Sequence, residues 1–271
     1  MGLLELDFMR RALLAALIVG VAAPSIGVFL VQRRLSLMGD GIGHMAFMGV
    51  AAGLFLGTSP VLTGIAAASL AGAGIEVLRE KGRTASDVAL ALLLYGGIAG
   101  GALLAFRSGQ SNQVLGYLFG SVLTVTADDL VVLVAAGALV LTVVLAYRKE
   151  LFAVCYDEEV AQVSGLPVRR LNFLMALAAA VTIGVTMRVV GILLVSAMLV
   201  IPVAIVQQLA PSFRSTLAGS MVLGATLAVG GVVLAYQLDT SPGATIVLLA
   251  IAMFFLAAGV GRRRGRTGAA A

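Results

Sequence analysis

The sequence predicts an all-α polytopic membrane protein of eight to nine transmembrane helices, with short or broken helices near 172–210 and a cytoplasmic coupling helix. The first ground is composition. The chain is 61% hydrophobic, 11% charged and without tryptophan over 271 residues, and its mean hydropathy is +1.09. A soluble domain carries about 25% charged residues. The second ground is segmentation: apolar runs long enough to cross roughly 30 Å of hydrocarbon, which takes about 20 helical residues, alternate with short polar breaks.

In order, nine candidate spans cover 12–32, 41–57, 60–78, 88–106, 130–147, 172–187, 189–209, 216–236 and 244–261. The first is read as a retained span, because Glu5 and Asp7 ahead of Arg10 and Arg11 make a poor signal-peptide start. Only Arg188 separates the sixth from the seventh, which predicts a tight hairpin or broken helices and leaves eight full spans as an alternative. Nothing divides the chain, so 1–271 is expected to be one transmembrane domain. It would hold a cytoplasmic coupling segment at 148–171 and end in a disordered basic tail at 262–271.

The net charge of +5 reports orientation rather than nucleic-acid binding, since most arginines sit at the ends of apolar runs. With the tail in the cytoplasm, all but Arg10, Arg11, Arg107 and Arg188 of the 18 Lys and Arg residues fall inside. The N-terminus is then external. Arg188 would either snorkel to the outer surface or line an external mouth.

Two loops are long. The external one, 107–129, turns semi-apolar from Val114 to Val125 and is expected to pack at the membrane surface or re-enter the protein. The cytoplasmic one, 148–170, contains Asp157-Glu158-Glu159, then Gly165 and Pro167, the start and stop signals of one short helix. A capped helix outside the membrane is a natural docking element for a cytoplasmic partner. Glycines four apart, at 49, 53 and 57, at 96 and 100, at 97 and 101, and at 116 and 120, predict close helix packing within the chain.

The chemistry is sparse. No Walker A loop is present, because Lys81 and Lys149 follow Glu80 and Arg148 rather than glycine. No HExxH or GxSxG motif occurs, and Cys155 is the single cysteine. Catalysis by this chain is not expected. Asp40 and the single histidine, His44, are four apart and share one helical face. Ionisable groups inside a span are costly, and a carboxylate with an imidazole suits a divalent transition metal. Helix continuing inward from Arg34 would put them roughly 9 and 15 Å deep. Two such chains about a twofold axis would supply Asp2His2, the tetrahedral set that zinc prefers. The competing reading is a buried Asp–His hydrogen bond joining two helices. Glu76, Asp87, Asp128, Asp129 and Asp239 are expected at solvated ends.

The run RRLSLMGDGIGHMAFMGVAAGLFLG, Arg33 to Gly57, resembles the first cytoplasmic turn and second span of the zinc/manganese/iron permeases of ATP-binding-cassette importers, especially the ZnuB-type zinc permease. GYLFGSVLTVT from Gly116, DEEVAQVSG from Asp157, TIGVTMRVVGILLVSAMLVIPVA from Thr182 and DTSPG from Asp239 agree in order, so the likeness covers nearly the whole chain. It implies a homodimeric permease of the bacterial cytoplasmic membrane. Such a permease takes zinc, or manganese or iron, from an extracytoplasmic metal-binding protein and works with two cytoplasmic ATPase subunits that bind the ATP. It implies Asp40 and His44 as metal ligands, and Asp157, Glu158, Glu159, Ala161 and Gly165 as the coupling segment. Phe47-Met48-Gly49 stands where family members often carry Leu-Pro-Gly.

Overall fold

The computed structural model describes residues 7–80, 86–120 and 125–268. These form twelve helices and, among the described residues, no strand: α1 (Asp7–Gln32), α2 (Met38–Leu56), α3 (Pro60–Glu80), α4 (Ser86–Ser108), α5 (Ser111–Phe119), α6 (Ala127–Ala146), α7 (Arg148–Tyr156), α8 (Glu158–Val163), α9 (Val168–Val190), α10 (Ile192–Gln207), α11 (Phe213–Leu238) and α12 (Pro242–Gly268). Eight of them are long and apolar enough to cross a membrane, and α10 is a shorter apolar helix of 16 residues. Residues 81–85 lie outside the described residues, as does 121–124 of the semi-apolar stretch.

The bundle is built around α1 and α9, whose apolar stretches are the most enclosed, while α4, α6 and α12 turn most of theirs outward. In lipid there is no water to drive helices together, so close packing holds them. α2 lies between α3 and α4, and α1 packs on α10 and α11. The glycine spacing is used as expected at 49 and 53, which receive Thr63 and Ala67 or Pro60 of α3, and at 97, 100 and 101, which receive the His44 backbone, Met48 and Phe47 of α2. Gly57, Gly96 and Gly116 face open space instead.

α10 completes the path across the bundle. It starts at Gly191, which abuts Phe119 and Gly120 of the external segment. It ends at Gln207, whose Nε2 donates to Gln32 Oε1 at the cytoplasmic end of α1. Among the described residues there are thus eight apolar helices of spanning length and one shorter one. The break falls at Gly191 and not at Arg188. Arg188 stays inside α9, and Gly191 takes φ +80°, ψ 153°, a conformation closed to side chains with a Cβ.

Three further differences have local causes. The cytoplasmic segment contains two helices, because α7 precedes α8; Leu151 and Val154, three apart, give α7 a buried stripe. Helix does not continue through Arg34, which has φ +59° in the turn after α1. The basic tail is helical through Gly268 rather than disordered from 262. Arginine is a good helix former, and cations near a helix C-terminus favour the macrodipole.

Candidate metal path and coupling segment

α2 begins without a side-chain cap, at Leu37, and carries Asp40 in its first turn. Because the helix starts at Met38, Asp40 and His44 lie only about 3 and 9 Å along it, shallower than a helix from Arg34 would place them. α2 is continuous past Phe47-Met48-Gly49.

Asp40 and His44 lie one turn apart, both half-buried and in electrostatic contact. The hydrogen bond of the competing reading does not form: His44 Nδ1 is buried with no partner. A second orphan lies close by. Ser196 of α10 is 7% exposed, its Oγ has no partner, and it faces Gly39 and Gly43 on the neighbouring side of α2. Buried polar atoms without partners cost about 1–3 kcal/mol each, so two beside one helix turn are a notable expense in this bundle. Ser196 left no signal in the sequence, being one hydroxyl in an apolar run. Among the described residues no cluster of three or more His, Cys, Asp or Glu could hold a metal. Asp40 and His44 are thus two polar groups and not such a cluster.

The segment 148–171 is more constrained than its sequence showed. Asp157 caps α8 by accepting the Val160 N–H at 2.9 Å. Glu158 turns toward the bundle. Its Oε2 accepts from Arg33 Nη2 at 2.6 Å, and its Oε1 accepts from Asn172 Nδ2 at 2.8 Å. Arg33 Nη1 donates to Asn172 Oδ1, which closes a triad joining the end of α1, the start of α8 and the start of α9. Glu159 is exposed, Ala161 is 2% exposed and packs into the core, and Gly165 ends the helix at φ +81°. What α8 offers outward is mixed: Val160, Val163 and the adjacent Tyr156 are 60%, 90% and 78% exposed, beside exposed Glu159 and Gln162.

At the opposite end, Arg188 Nη1 pairs with Asp129 Oδ1 at 2.7 Å, and Tyr117 of α5 lies within electrostatic reach of both. Asp129 also completes a capping box with Thr126. The expectation of solvated carboxylates thus fails for Asp129, and for Glu76, which is 6% exposed and paired with Arg79. Asp239 meets it as the exposed left-handed cap of α11.

A multi-pass bundle with a lone carboxylate–imidazole pair in one span and a capped cytoplasmic helix tied to its core is a membrane transport permease. The family described as ABC 3 transport family matches residues 5–261, and the chain belongs to it. It is 31% identical to a probable iron transport system membrane protein of Haemophilus influenzae, with 94% of each chain covered. It is 32% identical to the manganese transport system membrane protein MntC of Listeria innocua, over 94% of this chain and 91% of that one. The solved structure of PsaBC from Streptococcus pneumoniae in complex with Fab superposes with a TM-score of 0.85 at 30% identity, covering 94% of this chain and 92% of that one. The chain is thus a multi-pass permease of the cytoplasmic membrane.

Proposed function

We propose that this permease admits a divalent transition metal to the cytoplasm, with Asp40 and His44 meeting the ion in the second span. The observation that carries this is the unpartnered, buried His44 Nδ1 one turn from a carboxylate. Asp with His accepts manganese, ferrous iron and zinc. The named relatives carry manganese and iron, which favours those two as cargo; the ZnuB-type resemblance and the single imidazole favour zinc as the second reading. Sparse ligation suits a pathway, because an ion must leave as readily as it enters. A second copy about a twofold axis would double the pair to a full coordination set.

In this reading ATP is hydrolysed by separate cytoplasmic subunits that dock on Tyr156, Val160 and Val163, and an extracytoplasmic binding protein delivers the metal. Glu158, held by Arg33 and Asn172, passes movement of α8 to α1 and α9. The test is uptake by the reconstituted importer with zinc, manganese and iron in competition. Asp40→Ala and His44→Ala are each expected to abolish uptake while membrane insertion and ATPase association persist. Normal uptake by both variants would overturn the assignment, and the competition would name the cargo.

A further inference from the structure

A groove of about 510 Å³ lies where α6 and α7 meet the start of α11, away from Asp40, His44 and the triad. This is within the roughly 300–1,000 Å³ of ordinary ligand sites. Its two halves differ in chemistry. Leu145, Leu217 and Met221 line the part within the spans, with the Phe152–Phe213 ring pair, 4.5 Å between centroids, beside them. Arg148, Lys149 and Arg214 line the other part. All three cations are exposed, and none makes an ion pair among the described residues. The charge bias puts this end of the spans at the cytoplasmic surface. Leu145 in its lining is 49% exposed, so the apolar part opens outward.

We infer that this groove holds an anionic phospholipid of the inner leaflet, its headgroup phosphate on Arg148, Lys149 and Arg214 and an acyl chain along Leu145, Leu217 and Met221. Charge complementarity selects the occupant. Three uncompensated cations over an apolar trough at headgroup height match a molecule anionic at one end and hydrocarbon at the other. Arginine presents a planar fork to phosphate and lysine a mobile point charge. A free anion would leave the apolar half unused. An apolar helix of a partner would leave the cations unpaired.

The test uses the full-length permease, purified and delipidated, then examined by native mass spectrometry with phosphatidylglycerol or phosphatidylcholine. Phosphatidylglycerol is expected to be retained several-fold better, and the combined R148Q, K149Q and R214Q variant to lose about ten-fold or more of that retention. Met221→Trp fills the trough without touching a charge and is expected to lower retention too, which covers the case of a triple variant that fails to fold. Excess inorganic phosphate is expected not to displace the lipid. Equal retention of the two lipids, retention unaffected by both variants, or displacement by phosphate would each overturn the inference. So would disulfide capture of a second copy, or of the ATPase subunit, through a cysteine placed at Met221 in native membranes.

Discussion

Glu158 and Arg33 show how much a single pair carries here. The Arg33 side chain is 5% exposed and that of Glu158 46%, so removing the carboxylate strands a buried guanidinium. A fully buried pair would cost about 3–5 kcal/mol when broken; with one partner half in water, Glu158→Gln is expected to cost about 1–2 kcal/mol in thermal unfolding. In the reconstituted importer it is also expected to leave ATP hydrolysis running with metal uptake reduced several-fold. Retained coupling would show that the triad only holds α8 in place. Cys155 beside it makes a separate prediction. Burial pushes its thiol from the ordinary 9.0 up to about 12, with nearby Arg33 opposing and Glu158 adding. The thiol thus stays protonated, and its alkylation by iodoacetamide at pH 8 is expected to be at least about ten-fold slower than after denaturation. Because the folded value is the raised one, this group's contribution to stability is intact below pH 9 and lost as pH climbs toward about 12. The Asp40–His44 pair was readable because helical spacing is local. The triad was not: its members are 125 and 139 residues apart, and such pairings leave no pattern in sequence.

Among the elements, α2 depends on α4 for its placement and α10 depends on a glycine for its start. A Cβ at Gly97 would lie 2.4 Å from the His44 carbonyl carbon, so Gly97→Leu must force α4 away from the turn that holds His44. Overpacking of this kind costs about 1–3 kcal/mol. The variant is expected to lower the unfolding temperature and to weaken metal uptake more than Gly96→Leu, whose site is open. Gly191→Val meets both a positive φ and the backbone of Phe119 and Gly120, and is expected to accumulate poorly in the membrane. The sequence placed this break at Arg188 because a charge interrupts an apolar run visibly, whereas a glycine does not. α7 was hidden for the opposite reason: its opening Arg-Lys-Glu reads as loop, and only packing reveals Leu151 and Val154 as its inner face.

For the whole molecule, the hydropathy runs made the bundle legible, since a summed property survives errors at single residues. Which helices sit at the centre was not, because α1 and α12 are similarly apolar yet differ in enclosure. Orientation is open to direct measurement. In a Cys155→Ser background, a cysteine at Gln237 is expected to react with an impermeant maleimide from outside, and one at Val163 only after the membrane is opened. The reverse pattern would invert the assignment. One consequence of the triad reaches across the molecule. Arg33, which grips Glu158, stands at the head of the five-residue turn that leads into α2, and Asp40 lies in the first turn after it. A leash this short has little slack, so under the proposed function the helix that would meet the ATPase and the carboxylate that would meet the ion are tethered through a single turn of chain.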